Sequence, residues 1–110
     1  MSYEIQPGSP IVLVLHSPKE KYWGVLDEIS TAGVFLRGLD LNALDDWVAA
    51  ILHKEPFIGL TTLFFPMWRI ERVSGDEAAG GVASLYEQVE RRTGMKVSEL
   101  LEAQGSQVSF

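Results

Sequence analysis

The sequence predicts a mainly β fold with added helices: a small, strongly bent five-stranded barrel, one helix inserted between strands 3 and 4, and a C-terminal helix. Three observations carry this expectation. Short strand signals follow one another closely in PIVLVLH, YWGVLDEI, GVFLRG and TTLFFPMWRIERV. The apolar period switches from strand-like to helical at about residues 42–54, and a second helical stripe follows the last strand signal, over about residues 82–103.

A chain of 110 residues with 46% hydrophobic and 22% charged residues has the size and composition of one globular domain, residues 1–110, with a single modest core. No stretch approaches the roughly 20 apolar residues of a membrane span. The start, MSYEIQPGSP, lacks a basic segment, and the apolar run from Ile11 to Leu15 is shorter than the about 7 to 15 residues of a signal core, so a cytoplasmic protein is expected. The absence of cysteine excludes disulfides, thiolate metal sites and thiol nucleophiles. A net charge of −6 opposes binding to phosphate backbones unless the few cations cluster on one surface.

Pro7, Gly8 and Pro10 interrupt the start, and Met1 to Ser9 are read as an extended tail or a strap across the barrel. The continuous apolar run Ile11 to Leu15 predicts a strand covered on both faces, with a hairpin loop at His16 to Glu20. In the next strand, Tyr22 to Ile29, Gly24 marks a sharp bend or a close backbone approach. Ser30 to Gly33 is a tight connection, and Val34 to Leu36 forms the third strand, closed by Arg37 and Gly38.

Leu44, Trp47, Val48, Ile51 and Leu52 recur at helical spacing, with Asn42 as the expected N-cap, His53 and Lys54 in the last turn, and Pro56 as the stop. Pro66 cannot donate to a strand ladder, so TTLFF and WRIERV are read as two strands meeting at a corner, where the barrel is expected to close. SGDEAAGG, residues 74–81, reads as a flexible polar linker. Val82, Leu85, Tyr86 and Val89 then mark the second helix, with an i,i+4 pair Glu87 and Arg91, Gly94 at its C-terminal end, and Ser98 as the cap of a further turn; the last residues are expected to fray.

This order of strand, bent strand, strand and a short pair ending in RIERV resembles the Sm and Sm-like (SH3-like) small-barrel family over about residues 10–73. Gly24, Leu26 and Ile29 match the apolar skeleton of the family's first motif. Ser30 stands where that motif has Asp, no Asn follows, and the basic, glycine-containing second motif is absent from PMWRIERV. The missing residues are those with which the family holds RNA bases, so the resemblance implies the fold and not RNA binding. It also implies ring assembly by pairing of the fourth strand with the fifth strand of a neighbour, here TTLFF and WRIERV. Over nearly its whole length the chain also resembles uncharacterised small bacterial proteins, a similarity that carries no activity across.

No constellation in the chain spells out catalysis. His16, Ser17 and Asp27 have the residue types of a nucleophilic triad, and Asp40, Asp45, Asp46 and His53 the donors of a divalent-metal site, but helix-dipole complementarity accounts for the latter more simply. No nucleophile elbow, phosphate loop or zinc motif is present. No catalytic residue, metal or cofactor is therefore expected. The candidate binding residues are Arg37, Trp68, Arg69 and Arg72, where an exposed aromatic beside cations suits a protein interface or a stacked base. The leading expectation is a noncatalytic module that forms homo-oligomers and binds protein partners. The alternative is an Sm-like binder of RNA or single-stranded nucleic acid, and a third reading places a small-ligand site between the inserted helix and the barrel.

Overall fold

The computed structural model describes residues 4–57 and 59–101. Five antiparallel strands, β1 (Pro10–Leu15), β2 (Glu20–Ile29), β3 (Gly33–Asp40), β4 (Thr61–Pro66) and β5 (Ile70–Gly75), form one sheet in the order β4-β3-β2-β1-β5. Helix α1 (Leu44–Leu52) lies between β3 and β4, helix α2 (Leu85–Thr93) follows β5, and residues 97–101 are again helical. No helix among the described residues is long and apolar enough to cross a membrane.

Strand alternation sends side chains to two cores. On one face Ile11, Leu13, Leu15, Leu26, Val34, Leu36 and Phe65 form a cluster that also takes in Ile70 and Val73. It draws on both edge strands, so the sheet is curled over its own apolar face. On the other face Trp23 packs with Leu44, Trp47, Val48 and Ile51 of α1, Val89 of α2, and Val97 and Leu100. Both faces of β1 are thus covered, which is the physical reason for its unbroken apolar run.

The curl does not close. β4 and β5 are the two edges of the sheet and share no ladder, contrary to the closure expected at RIERV. The chain passes from one edge to the other through a 3-10 turn, Met67–Arg69, directly after Pro66, so β5 begins at Ile70 rather than at Trp68. β5 pairs with β1 along one side, from Ile11↔Gly75 to Leu15↔Ile70, and its other side is an edge of the sheet. At the N-terminal side the strap reading has a counterpart at its end, where the Gly8 amide donates to the Leu26 carbonyl and the Leu26 amide to that of Ser9; its first three residues lie outside the described ones.

Several boundaries differ from the sequence expectation. β3 continues through Gly38 to Asp40, because Gly38 sits opposite Gly24 and keeps the ladder intact. Asp40, not Asn42, supplies the cap before α1: its side chain accepts from the Asn42 amide and starts a 3-10 turn, Leu41–Ala43, that leads into the helix. His53 is the residue that ends α1, Lys54 follows it with positive φ, and Leu52 points to solvent rather than to the core. The Ser17–Pro18 bond in the first hairpin loop is cis.

The largest departure lies in residues 74–81. Ser74 and Gly75 belong to β5, and Ala79 and Val82 bond each other across Gly80 and Gly81, both with positive φ, as a two-residue tight turn demands. Val82 is therefore 63% exposed and outside the helical stripe. Asp76 is buried: its carboxylate accepts the Trp23 indole N–H (3.0 Å) and the amides of Leu85 and Tyr86 (2.8 Å each). Ser84 and Glu87 add a capping box, so the opening of α2 is fully paired with polar partners and tied to the core tryptophan. Gly94 ends α2 in the left-handed conformation as expected. The helical residues that follow begin at Val97, whose amide is held by Glu90, so Ser98 is not their cap; the end of the 82–103 segment and the fraying tail lie outside the described residues.

Candidate functional site

The four residues singled out from the sequence do not form one platform. Trp68, in the turn between β4 and β5, is 67% exposed. Its neighbour Arg69 is engaged in the fold: Nε donates to the His16 carbonyl (2.9 Å), and Nη2 donates to the Pro18 carbonyl (3.1 Å) and pairs with Glu20 (2.8 Å), leaving 19% of the side chain exposed. Arg69 thereby fastens the 3-10 turn to the β1–β2 hairpin. Arg37 lies on β3 opposite Thr62, and Arg72 on β5 opposite Val14, with β2 and β1 between their strands. Phosphate tracking needs cations in a row, and the topology separates these two.

What the fold gathers instead is apolar surface at one end of the sheet. Ile29 ends β2, Phe35 lies near the start of β3, and Phe64, Met67 and Trp68 lie at the end of β4 and in the turn after it; all five are exposed. Phe35 and Phe64 face each other across the β3–β4 ladder with ring centroids 4.8 Å apart. The Met67 amide bonds the Ala32 carbonyl, which fixes the turn against the β2–β3 connection. The adjoining edge strand β4, TTLFFP, has no charged residue, although edge strands usually carry charge that discourages further pairing. The doublet Phe64 and Phe65 was the available sequence signal: in a strand, two consecutive aromatics face opposite sides, so one of them leaves the inner core.

A second feature is a groove of about 530 Å³ between α1 and the β3–β4 part of the sheet. Its lining includes Tyr22, Trp47, Phe57 and Leu63, with Asp40 and Asp46, and among the described residues no basic one. Trp47 and Phe57 meet edge to face, centroids 6.5 Å apart. Burial pushes the Tyr22 hydroxyl above the ordinary tyrosine range; the Glu20 and Asp40 charges push the same way and Arg69 opposes them. Burial, then Glu90, raises Tyr86 likewise. Raised folded-state values mean that the unfolded chain loses these protons first, so stability falls as pH rises above about 10, the ordinary tyrosine value. Alkaline denaturation of a Tyr22→Phe, Tyr86→Phe double variant should show a flatter decline between pH 9 and 11 than wild type; an unchanged profile would assign the decline to other groups.

The catalytic and metal-binding alternatives are not assembled. His16 and Ser17 are neighbours in the hairpin loop, Nδ1 to Oγ 3.2 Å, whereas Asp27 lies near the far end of β2. Asp40 caps the 3-10 turn, and Asp45 pairs with Arg92 at 2.8 Å. Among the described residues no three His, Asp or Glu side chains converge as a metal site. Comparison with protein-family models, with curated proteins and with solved structures returned no match, so the functional reading rests on the sequence and the geometry.

Proposed function

We propose that the chain is a noncatalytic small-barrel interaction module that self-associates through the β4 edge and the apolar end of the sheet, and binds protein partners through the same surface. The observation that carries this reading is the uncharged edge strand β4 beside the exposed residues Phe35, Phe64, Met67 and Trp68. An open edge supplies backbone donors and acceptors for a further strand, and exposed aromatics supply the desolvated contacts that dominate interface energies. The curled sheet, the order β4-β3-β2-β1-β5 and the short turn joining the two edge strands support an Sm-like (SH3-like) barrel, in which β4 of one copy meets β5 of the next.

Size-exclusion chromatography with light scattering tests this directly. The wild type should run as a discrete oligomer at about 100 μM, and Thr62→Lys with Phe64→Asp, both exposed positions, should shift it to monomer by weakening association at least about tenfold, or 1.4 kcal/mol. A wild-type monomer, or a variant with unchanged mass and circular dichroism, would sink the proposal. Excess absorbance at 260 nm across the peak would instead favour the nucleic-acid reading, with Arg37 and Arg72 as its cations.

A further inference from the structure

The groove between α1 and the sheet has a composition that selects its occupant. Its volume of about 530 Å³ falls within the range of small-molecule sites, about 300–1,000 Å³. Three aromatic residues, Tyr22, Trp47 and Phe57, line it, the Tyr22 ring also packing against Phe65 of the inner cluster at 4.7 Å. Aromatic faces attract cations through the ring quadrupole, and most strongly where water is partly excluded. Two carboxylates lie on the same lining and differ in their engagement. One oxygen of Asp40 accepts the Asn42 amide at 2.7 Å. Asp46 has no ion pair or side-chain hydrogen bond among the described residues, whereas the adjacent Asp45 is paired with Arg92. Among the described residues no Lys, Arg or His lines the groove to neutralise these charges internally, and the chain as a whole carries −6.

An anion entering this space meets only like charge. A purely apolar molecule leaves the carboxylates unused, while a strongly hydrated metal ion gains nothing from the aromatic walls. We propose that the groove binds a small organic cation, an amine or quaternary ammonium ion with an apolar body: the body lies against Trp47, Phe57 and Leu63 and the charged head faces Asp46 and Asp40. The groove shares Thr61 and Leu63 with β4, but Thr62 and Phe64, the positions changed in the association test, do not line it, so the two properties can be tested independently.

The test uses the full-length ¹⁵N-labelled protein and three probes of similar shape: phenethylammonium, neutral 2-phenylethanol and anionic 3-phenylpropionate. Phenethylammonium should shift the Trp47 indole and the Asp46 and Phe57 amides saturably, with the neutral probe weaker and the anion weakest. Asp46→Asn and Phe57→Ala should each weaken binding of the cation by about threefold or more, while resonances of the inner cluster such as Leu13 and Leu36 stay in place and report an intact fold. Absence of a saturable shift would overturn the proposal. So would equal affinity for the alcohol, or unaltered binding by Asp46→Asn, because either result would reduce the groove to an apolar surface.

Discussion

Gly38→Ala should cost at least about 3 kcal/mol, or leave the chain unfolded, with a loss of melting temperature of roughly 10–25 °C where folding survives. A Cβ at position 38 would lie 2.1 Å from the Trp23 carbonyl oxygen and 2.8 Å from the Gly24 Cα. Its partner in the register is equally confined, since a Cβ on Gly24 would meet the Arg37 carbonyl oxygen at 2.3 Å and the Gly38 Cα at 2.6 Å. These neighbours are backbone atoms of the adjacent strand, which cannot rotate away as a side chain does. Relief requires β2 and β3 to separate, and β2 carries the fully buried Trp23 beside the contact. Gly80→Ala provides the contrast: nothing lies within 4 Å and only the left-handed backbone, φ +58°, is penalised, by about 1 kcal/mol. Thermal and urea unfolding of the two variants settle the matter. Equal losses would show that close approach at the Gly24–Gly38 pair is not what shapes the sheet.

Asp76→Ala should destabilise by about 3–5 kcal/mol, a large share of the about 5–15 kcal/mol typical of a whole domain. The substitution removes the acceptor of three donors at once. The Trp23 indole N–H is fully enclosed and has no water to turn to, whereas the Leu85 and Tyr86 amides, only partly buried, recover some hydration. The loss also takes a negative charge from the N-terminal end of α2, where the helix dipole favours it. Asp76→Asn keeps one acceptor oxygen and should fall between alanine and wild type. In a double-mutant cycle, Trp23→Phe and Asp76→Ala should be non-additive, because the indole N–H that alanine leaves unpaired is absent from the phenylalanine variant. Urea unfolding gives the energies, and hydrogen exchange at α2 should show its first turn losing protection before the β1–β2 ladder. An alanine variant within about 1 kcal/mol of wild type would mean that water replaces the carboxylate at every donor.

Gly38 and Asp76 also show where reading the sequence reaches its limit. Gly24 stood out in an apolar run as a place of close approach, and the structure puts it there. Its counterpart Gly38 read as a strand end, because a glycine after Arg37 gives no sign that another strand's glycine lies opposite. Asp76 sits in a stretch of small and polar residues whose local signal is a linker, yet its indole partner is 53 positions away. Arg69 is the mirror case: beside Trp68 it looked available, but its partners are His16, Pro18 and Glu20, about 50 positions earlier.

The readable features were those set by neighbours along the chain. Strand alternation, the helical spacing of Leu44, Trp47, Val48 and Ile51, and the breaks imposed by Pro66 and Gly94 act within a few residues, so order and approximate extent of the elements follow from local pattern. Whether the curled sheet closes, which of two adjacent phenylalanines faces the core, how Arg37 and Arg72 come to be separated, and the groove under α1 all depend on pairings between distant segments. Those pairings are decided by competition among buried surfaces and backbone partners once the chain is compact, and no single segment encodes the outcome of that competition.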